Sequence, residues 1–569
     1  MKTFWQKIGE LTMLHFPFLK TSSLSRASCL IVAVCFCLSG ASLHGLGPVQ
    51  SGSSTSPDVA LSGIVTSQTE GEMEGVLVTA KGVGGSVAVT VVTDRRGRYA
   101  FPQDRLRPGP YLISIRAVGY DLEDPGTLEV RAGSTRTVNL RLRATRDLAS
   151  QLSNVEWLLS VPGTEQQRNA LGSCVGCHAI AFAVKSTHDA TAWRSTLHRM
   201  RNYSSPSFWL NPIKWPWEVP PRAGDADLAE YLSSINLSSG PDRAYELKTL
   251  PRPKGVSTRV IITEYDLPRR ESQPHDASVA PDGMVWYSDF GLPYLGRLDP
   301  RTGEIKEWRI PVARAGSSEG SLDVKFDRDG NPWVGLLLQR SVAKFDVKTE
   351  TFETWAIPEE KASERSRAGM VAMGPDGKVW LKTSVDTYGA HLLDPSSGDI
   401  TSYPLPLSFY GTDSNSKGDL YLASLSDGVI GELIAKTGEV AVYPTPTPRS
   451  GSRRGHVDEQ DRFWFAEFFA HKIGMFDTKT KQFREWPIPT PWAGPYDAIR
   501  DRKGYVWSGG MHTDLIYRLN PANGEVTEYL MPTLSPNFRN IDVDSSTDPV
   551  SVWLGANHQA KIIRVEPLE

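Results

Sequence analysis

Pro281-Asp282-Gly283-Met284-Val285-Trp286, followed by Asp299-Pro300-Arg301-Thr302-Gly303 and then by Trp308-Arg309-Ile310-Pro311, is one copy of a unit that recurs to the end of the chain. Its aromatic marker falls at Trp286, Trp333, Trp380, Tyr421, Trp464, Trp507 and Trp553, in steps of 47, 47, 41, 43, 43 and 46 residues. Self-similarity at such a period marks a repeat architecture. Asp282-Gly283, Asp329-Gly330 and Asp376-Gly377 read as tight turns ahead of the marker. Asp299-Pro300-Arg301-Thr302-Gly303 and Asn520-Pro521-Ala522-Asn523-Gly524 read as turns before an outer strand. Seven units of four short strands predict a seven-bladed β-propeller over residues 258–569. The last unit lacks its outer strand, and Thr263-Glu264-Tyr265-Asp266-Leu267-Pro268 closely matches Thr527-Glu528-Tyr529-Leu530-Met531-Pro532. Residues 258–267 are therefore expected to complete the final blade and cover its edge.

Upstream, the 569-residue chain has room for further domains. It is 40% hydrophobic and 22% charged, which suits folded cores. A net charge of −3 gives no electrostatic reason to expect nucleic acid. Residues 29–38 form one apolar run, preceded by Lys2, Lys7, Lys20 and Arg26 and followed by Ser39-Gly40-Ala41. This pattern reads as a secretory signal peptide over residues 1–41, too short for a settled bilayer span. The expected location is periplasmic or secreted, with no integral span after cleavage; an uncleaved anchor is the other reading. Four basic and one acidic side chain leave with that segment, so the exported chain carries −6. Residues 42–57 read as a flexible linker.

Cys29, Cys35 and Cys37 also leave with the signal, so only Cys174 and Cys177 remain. A bridge across two residues would close almost no loop, which argues against a structural disulfide. The stretch Cys174-Val175-Gly176-Cys177-His178 is the C-x-x-C-H haem-attachment pattern. Two thiols on one turn suit the two vinyl groups of a haem c, and His178 suits the iron as axial ligand. A thioredoxin-like pair would need a βαβ setting, and a zinc site would need further soft ligands nearby. Residues 190–200 are expected to form an amphipathic helix with Trp193, Leu197 and Met200 on one face. The order C-x-x-C-H, Trp193, Arg199-Met200 resembles small cytochrome c domains, here residues 150–238. That resemblance implies Met200 as sixth iron ligand. His198 and His188 are alternatives, and Met200 as plain core stays open. Residues 225–234 read as a closing helix, Pro-rich residues 211–221 with Trp215 and Trp217 as a pocket wall or a packed loop, and residues 239–257 as a linker.

Residues 58–145 alternate as strands do, with Tyr111, Ile113, Ile115 and Ala117 on one face and Val138, Leu140 and Leu142 repeating the pattern. Ser62-Gly63-Ile64-Val65, the run Thr93–Phe101, Gly109-Pro110-Tyr111-Leu112 and Val118-Gly119-Tyr120 resemble the carboxypeptidase regulatory-like domain. The resemblance implies a β-sandwich with a carbohydrate-binding-like fold, used as a spacer, docking or glycan-binding module. The expected fold class is thus multidomain and mainly β: a β-sandwich, a small α-helical cytochrome c domain and a seven-bladed propeller.

Pro274-His275-Asp276-Ala277, Phe463-Trp464-Phe465-Ala466-Glu467 with His471-Lys472-Ile473-Gly474, and Gly494-Pro495-Tyr496-Asp497-Ala498 resemble the virginiamycin B lyase (streptogramin lyase) family. The resemblance implies a C–O lyase in which histidines and two magnesium-holding glutamates open a cyclic ester by elimination. Here the family's Glu-Pro-His element falls on Gln273-Pro274-His275, and Gln lacks the charge Mg²⁺ favours. The seventh unit reads Phe538-Arg539-Asn540-Ile541 where a histidine is expected, and Asp289 and Glu467 are the nearest offers for a second carboxylate. The catalytic candidates at the axis are His275, His456, Glu467 and His512, with Tyr496 beside His275 in register. The leading expectation is an exported haem protein coupling electron transfer to a propeller that binds a substrate or partner. Its partners would be a redox protein and a small molecule or glycan at the axis. A lyase with accessory haem and a non-catalytic scaffold are the other two classes.

Overall fold

The computed structural model describes residues 59–237, 245–363, 365–386 and 388–568. The expected signal peptide and the linker at 42–57 lie outside them. Six four-stranded antiparallel sheets and four strands of a larger, eight-stranded sheet form the seven blades of the propeller. Blade one runs from Pro274–Val279 to Ile305–Arg309, blade two from Val324–Phe326 to Thr351–Ala356, and blade three from Arg367–Met373 to Ile400–Pro404. Blade four runs from Gly411–Ser414 to Val440–Pro444, blade five from Ser452–Val457 to Phe483–Pro487, and blade six from Ile499–Arg500 to Glu525–Leu530. Blade seven joins Phe538–Asp544, Ser551–Ala556 and Lys561–Pro567 to Val260–Asp266, which pairs along its whole length with the C-terminal strand. The ring thus closes as the repeat requires.

The markers explain the period. The six tryptophan markers pack against an aromatic of their own outer strand, as Trp286 does on Trp308 at 5.3 Å, Trp333 on Trp355 at 5.1 Å and Trp464 on Trp486 at 5.5 Å, while Tyr421 packs on Phe463 and Phe476 of the next blade. Each also reaches the next blade, as Trp286 does with Val334 and Phe345. Indole N–H groups donate to the turn aspartates, Trp464 to Asp458 and Trp507 to Asp501, both at 2.8 Å. The turn glycines are needed for conformation: Gly283 and Gly330 sit at φ 80° and 81°.

The β-sandwich is not a tethered spacer. Its strand Val87–Val92 pairs with the free edge of Val260–Asp266, so one eight-stranded sheet runs from blade seven into the sandwich. The edge left by ring closure is covered rather than exposed. Arg105 grips Glu566 through two hydrogen bonds of 2.8 and 3.0 Å, and Arg116 pairs with buried Asp514. The alternation in Gly109–Arg116 holds: Tyr111, Ile113 and Ile115 join the sandwich core while Leu112 is exposed.

Between sandwich and propeller, residues 148–237 form a helical cap. Its helices are α1 (Asn154–Ser160), α2 (Glu165–Gly172), α3 (Ala181–Val184), α4 (Ala190–Arg201) and α5 (Asp225–Ser234). Capping boxes start α1 (Ser153, Glu156) and α2 (Thr164, Gln167), each worth about 1 kcal/mol. Trp157, Leu158, Leu171, Val175, Trp193 and Leu232 build the cap's core. In α4, Trp193 is buried but Met200 is 39% exposed, so the expected apolar face does not extend to the last turn. Residues 245–257, expected as a linker, are packed: Leu250 N–H donates to the buried Glu156 carboxylate at 2.9 Å, and Lys248 N–H to Ser160 at 2.7 Å. Among the described residues no helix is long and apolar enough to cross a membrane.

Candidate functional site at the capped propeller axis

In every blade, the residue three before the one facing the aromatic marker occupies an equivalent position, on the innermost strand or just ahead of it. These are His275, Leu322, Gly369, Tyr410, Arg453, Tyr496 and Arg539. In blades one, three, five and seven the ladder slips there, at Pro274/Ala277, Gly369/Ala372, Ser452/Gly455 and Phe538/Ile541. Such bulges re-aim side chains. The His275 Nε2 and Tyr496 hydroxyl are 3.1 Å apart, and Tyr496 shares a hydrogen bond with Tyr410. The Arg453 guanidinium lies 4.0 Å above the Tyr496 ring. The next residues along make a second tier. There Arg454 donates to Asp276 at 3.2 Å, to Asn540 at 2.9 Å and to Asp323. This tier plugs the axis with buried, mutually satisfied charge.

The field above the plug is positive. Burial, Arg454 and Arg539 hold the His275 imidazole well below its usual pKa. Burial raises the Tyr410 hydroxyl, but Arg453 and Arg454 outweigh it and leave the group below the usual phenol value. His512 is lowered to about 3 by burial, His471 and Arg453.

The cap sits on this mouth. Asn537 Nδ2 donates to the Val175 carbonyl at 2.8 Å and Arg539 to the Gly176 carbonyl at 3.0 Å, so blade seven holds the Cys174–Cys177 turn over the axis. Gln273 Nε2 donates to the Pro206 carbonyl at 2.7 Å, and Trp492 Nε1 to Asn169 at 2.7 Å. Trp215 and Trp217 stack on each other at 4.9 Å and receive Arg367 and Arg365 of blade three. These two indoles dock the cap on the propeller.

Cys174 and Cys177 are unpaired thiols on a single 3₁₀ turn, Ser173–Gly176, and its C-cap. Burial pushes Cys174 up to about 11 and raises Cys177 as well. Burial lowers His178 against the opposing Ala179 carbonyl, which lies 3.0 Å from Nδ1. Beside His178 the cap leaves aromatic surface uncovered: Phe182, 5.7 Å away and 55% exposed, and Trp209, 5.8 Å further on and 47% exposed. The two free thiols, the imidazole and this exposed aromatic surface thus lie together on the cap. No described contact joins Met200 to His178. His198 instead lies 3.5 Å from Glu218, and His188 packs on Trp193 at 5.2 Å.

The other candidates disperse. His275 is fully buried in the axial ring, its Nδ1 2.6 Å from Asp276. His456 lies below the mouth, 3.1 Å from Asp497. His512 is at the mouth, under Gly172 of α2. Glu467 is not at the axis: its electrostatic neighbours are Glu485 and Lys472 on the outer strands of blade five. The residues do not fit magnesium. Gln273 is turned to a cap carbonyl, and Asp289 Oδ1 is spent on the N–H groups of Gln273, Gly291 and Leu292. Arg539 holds the ring position where the lyase pattern expects a histidine. Among the described residues no cluster of three His, Cys, Asp or Glu is arranged to hold a metal ion. Sequence reading missed Tyr410, Arg453 and Arg539. The signal for the first two was present, since both stand eleven residues before their marker, as His275 does.

Residues 407–568 match the profile of the virginiamycin B lyase family, and residues 60–143 that of the carboxypeptidase regulatory-like domain. Among solved structures, the chain is similar to virginiamycin B lyase from Staphylococcus aureus at 19% identity, over 54% of this chain and 99% of that one, with TM-score 0.48. A streptogramin B lyase aligns at 21% identity, over 55% of this chain and 99% of that one, with TM-score 0.49. No curated protein matches the chain. Residues 407–568 of the propeller are thus virginiamycin B lyase-like, and the sandwich carries a carboxypeptidase regulatory-like domain.

Proposed function

We propose that the chain is an exported c-type haem protein in which the helical cap carries the haem and the propeller forms the floor beneath it. The observation that carries this reading is the Cys174–His178 turn, its two thiols free, tied by Asn537 and Arg539 to the propeller axis. Cys174 and Cys177 would hold the group covalently and His178 would offer an axial nitrogen; bound, it supplies one-electron transfer. The lowered pKa of His178 keeps the imidazole unprotonated and available as a donor. The cap's contacts with blades one, three and seven keep that turn in register with the ring below. The partners that suit this arrangement are a redox protein at the exposed Phe182–Trp209 surface and a small molecule between cap and ring. Periplasmic or secreted location belongs to the same proposal.

The test is purification of the exported chain after co-expression with haem-maturation machinery. A visible spectrum that sharpens on dithionite, with pigment that survives acid-acetone, is expected in the wild type and absent in Cys174→Ala. A colourless wild type, or pigment that extracts, refutes the reading.

A second reading, a lyase-like enzyme at the axis, is favoured by the family match and by His275 in the ring. The matched residues do not include Gln273, His275 or Asp289, and the cap lies across the mouth. It requires turnover of a cyclic ester or uronate-like substrate that disappears in His275→Ala.

A further inference from the structure

Arg453 is a buried cation without a counter-ion. It is 8% exposed, its Nε has no hydrogen-bond partner, and no carboxylate among the described residues pairs with it. Its one described hydrogen bond runs to the Met511 sulfur at 3.4 Å. Aromatic rings surround the guanidinium, Tyr496 at 4.0 Å, Phe468 at 4.5 Å and Tyr410 at 5.2 Å. Cation–π contacts offset only part of the cost of burying a charge. The neighbouring Arg454 shows the ordinary solution, with two aspartates in contact. Arg539 in the same upper tier also bonds only neutral groups, Asn537 and the Gly176 carbonyl. The upper tier is therefore cationic and unanswered.

Arg453 also lines a chamber of about 330 Å³ between α2 with its following turn and blades five and six. The volume is at the small end of ligand cavities, roughly 300–1,000 Å³. Its walls are flat and mostly apolar, Trp492, Phe468 and Met511, with Ser173 at the cap side and His512 beside Arg453. Burial and Arg453 keep His512 neutral, so it adds no positive charge and can donate or accept one hydrogen bond.

We infer that this chamber binds a small carboxylate with a flat apolar body, its oxygens on Arg453 and its body between Trp492 and Phe468. The site rests on Arg453 and the chamber alone and stands without the haem reading. Two sources offer that chemistry: a free aromatic or short-chain carboxylic acid, or a propionate of the haem proposed above.

The test is calorimetric titration with benzoate at constant ionic strength, with benzyl alcohol as the neutral control. It is run on the chain as exported and on a haem-free Cys174→Ala/Cys177→Ala form. Saturable binding of one benzoate per chain is expected, with no binding of benzyl alcohol. Arg453→Gln should weaken binding on the order of 10–100-fold, the scale of a charge-assisted hydrogen-bond pair. Ser173→Phe, which fills the chamber from the cap, should abolish it, and Arg484→Gln on the exposed outer strand should leave it unchanged. Binding to the exported form assigns the site to a free carboxylate; binding to the haem-free form alone assigns it to the propionate. Should Arg453→Gln fail to fold, Ser173→Phe decides. Absence of saturable binding in both forms, equal binding of benzyl alcohol, or benzoate binding unmoved by Ser173→Phe overturns the inference. So does phenolate absorbance at neutral pH that is lost in Tyr410→Phe, because Tyr410 would then be the counter-ion.

Discussion

Glu467 offers a sharp test of the electrostatics. It is 0% exposed, and neither carboxylate oxygen has a hydrogen-bond partner in good geometry. Burial, then the nearby Glu485, push its pKa from 4.5 up to about 8. In the unfolded chain the group loses its proton near 4.5; in the folded chain it keeps it until about pH 8. Between those values the folded state holds one more proton, so stability must fall as pH rises, by about 1.4 kcal/mol per pH unit. From pH 5 to pH 7 that is roughly 2–3 kcal/mol. Glu467→Gln removes the titration while keeping the shape. The assay is the difference in thermal midpoint between Glu467→Gln and wild type from pH 4.5 to pH 8, which cancels contributions shared by both proteins, such as that of Asp289. The gap should be near zero at pH 4.5 and should grow in the variant's favour, reaching about 3–5 °C by pH 7 for a domain of this size. A gap independent of pH, or one that moves toward the wild type, refutes the reasoning and returns Glu467 to the list of ionised, metal-competent carboxylates.

Arg454→Met should destabilise the propeller by roughly 3–5 kcal/mol, because Asp276 and Asp323 would be left buried and unpaired, and a lowered urea midpoint with unchanged slope would register it. Deletion of residues 59–145 should expose the edge strand Val260–Asp266 and raise self-association above that of the full chain, followed by sedimentation velocity. A deletion variant that stays at the wild-type association state would show that the eight-stranded sheet is not what protects the edge.

The propeller was legible because its markers have one physical job repeated seven times. A large aromatic must fill each blade junction, and a tight turn must precede it, Asp-Gly in the first three blades, so spacing alone carried the architecture and even the ring closure. The sandwich's strand pattern was equally readable, but its attachment was not. Val87–Val92 reads as an ordinary alternating strand, and nothing in it names Val260–Asp266 as its partner 170 residues away. The same limit hid the strap at 245–257, whose polar look conceals a backbone N–H aimed at buried Glu156. At the site, register located His275 and Tyr496, while attention to histidines and carboxylates passed over Arg453 and Tyr410 at the equivalent positions. Glu467 failed for the opposite reason. Its place after a blade tryptophan suggested the mouth, whereas the strand turns its carboxyl toward Lys472 and Glu485.

The chemistry of the ring follows from which charges were left without partners. A histidine that takes a proton from carbon must tolerate becoming an imidazolium, yet Arg454 and Arg539 oppose that charge on His275 and burial opposes it further. The carboxylates that would tether a metal are absent, protonated, or bound to backbone N–H groups. What remains at the upper tier is a pair of guanidiniums, aromatic walls and a lid whose cysteine turn is hydrogen-bonded to one of them. Such a surface is built to attract an anion and exclude water rather than to move a proton. The lid is not incidental to this: Arg539 answers part of its own charge with the Gly176 carbonyl, so the cationic ring and the seating of the Cys174–His178 turn are one arrangement. Whatever binds on Arg453 therefore acts within a chamber whose roof is the C-x-x-C-H turn itself.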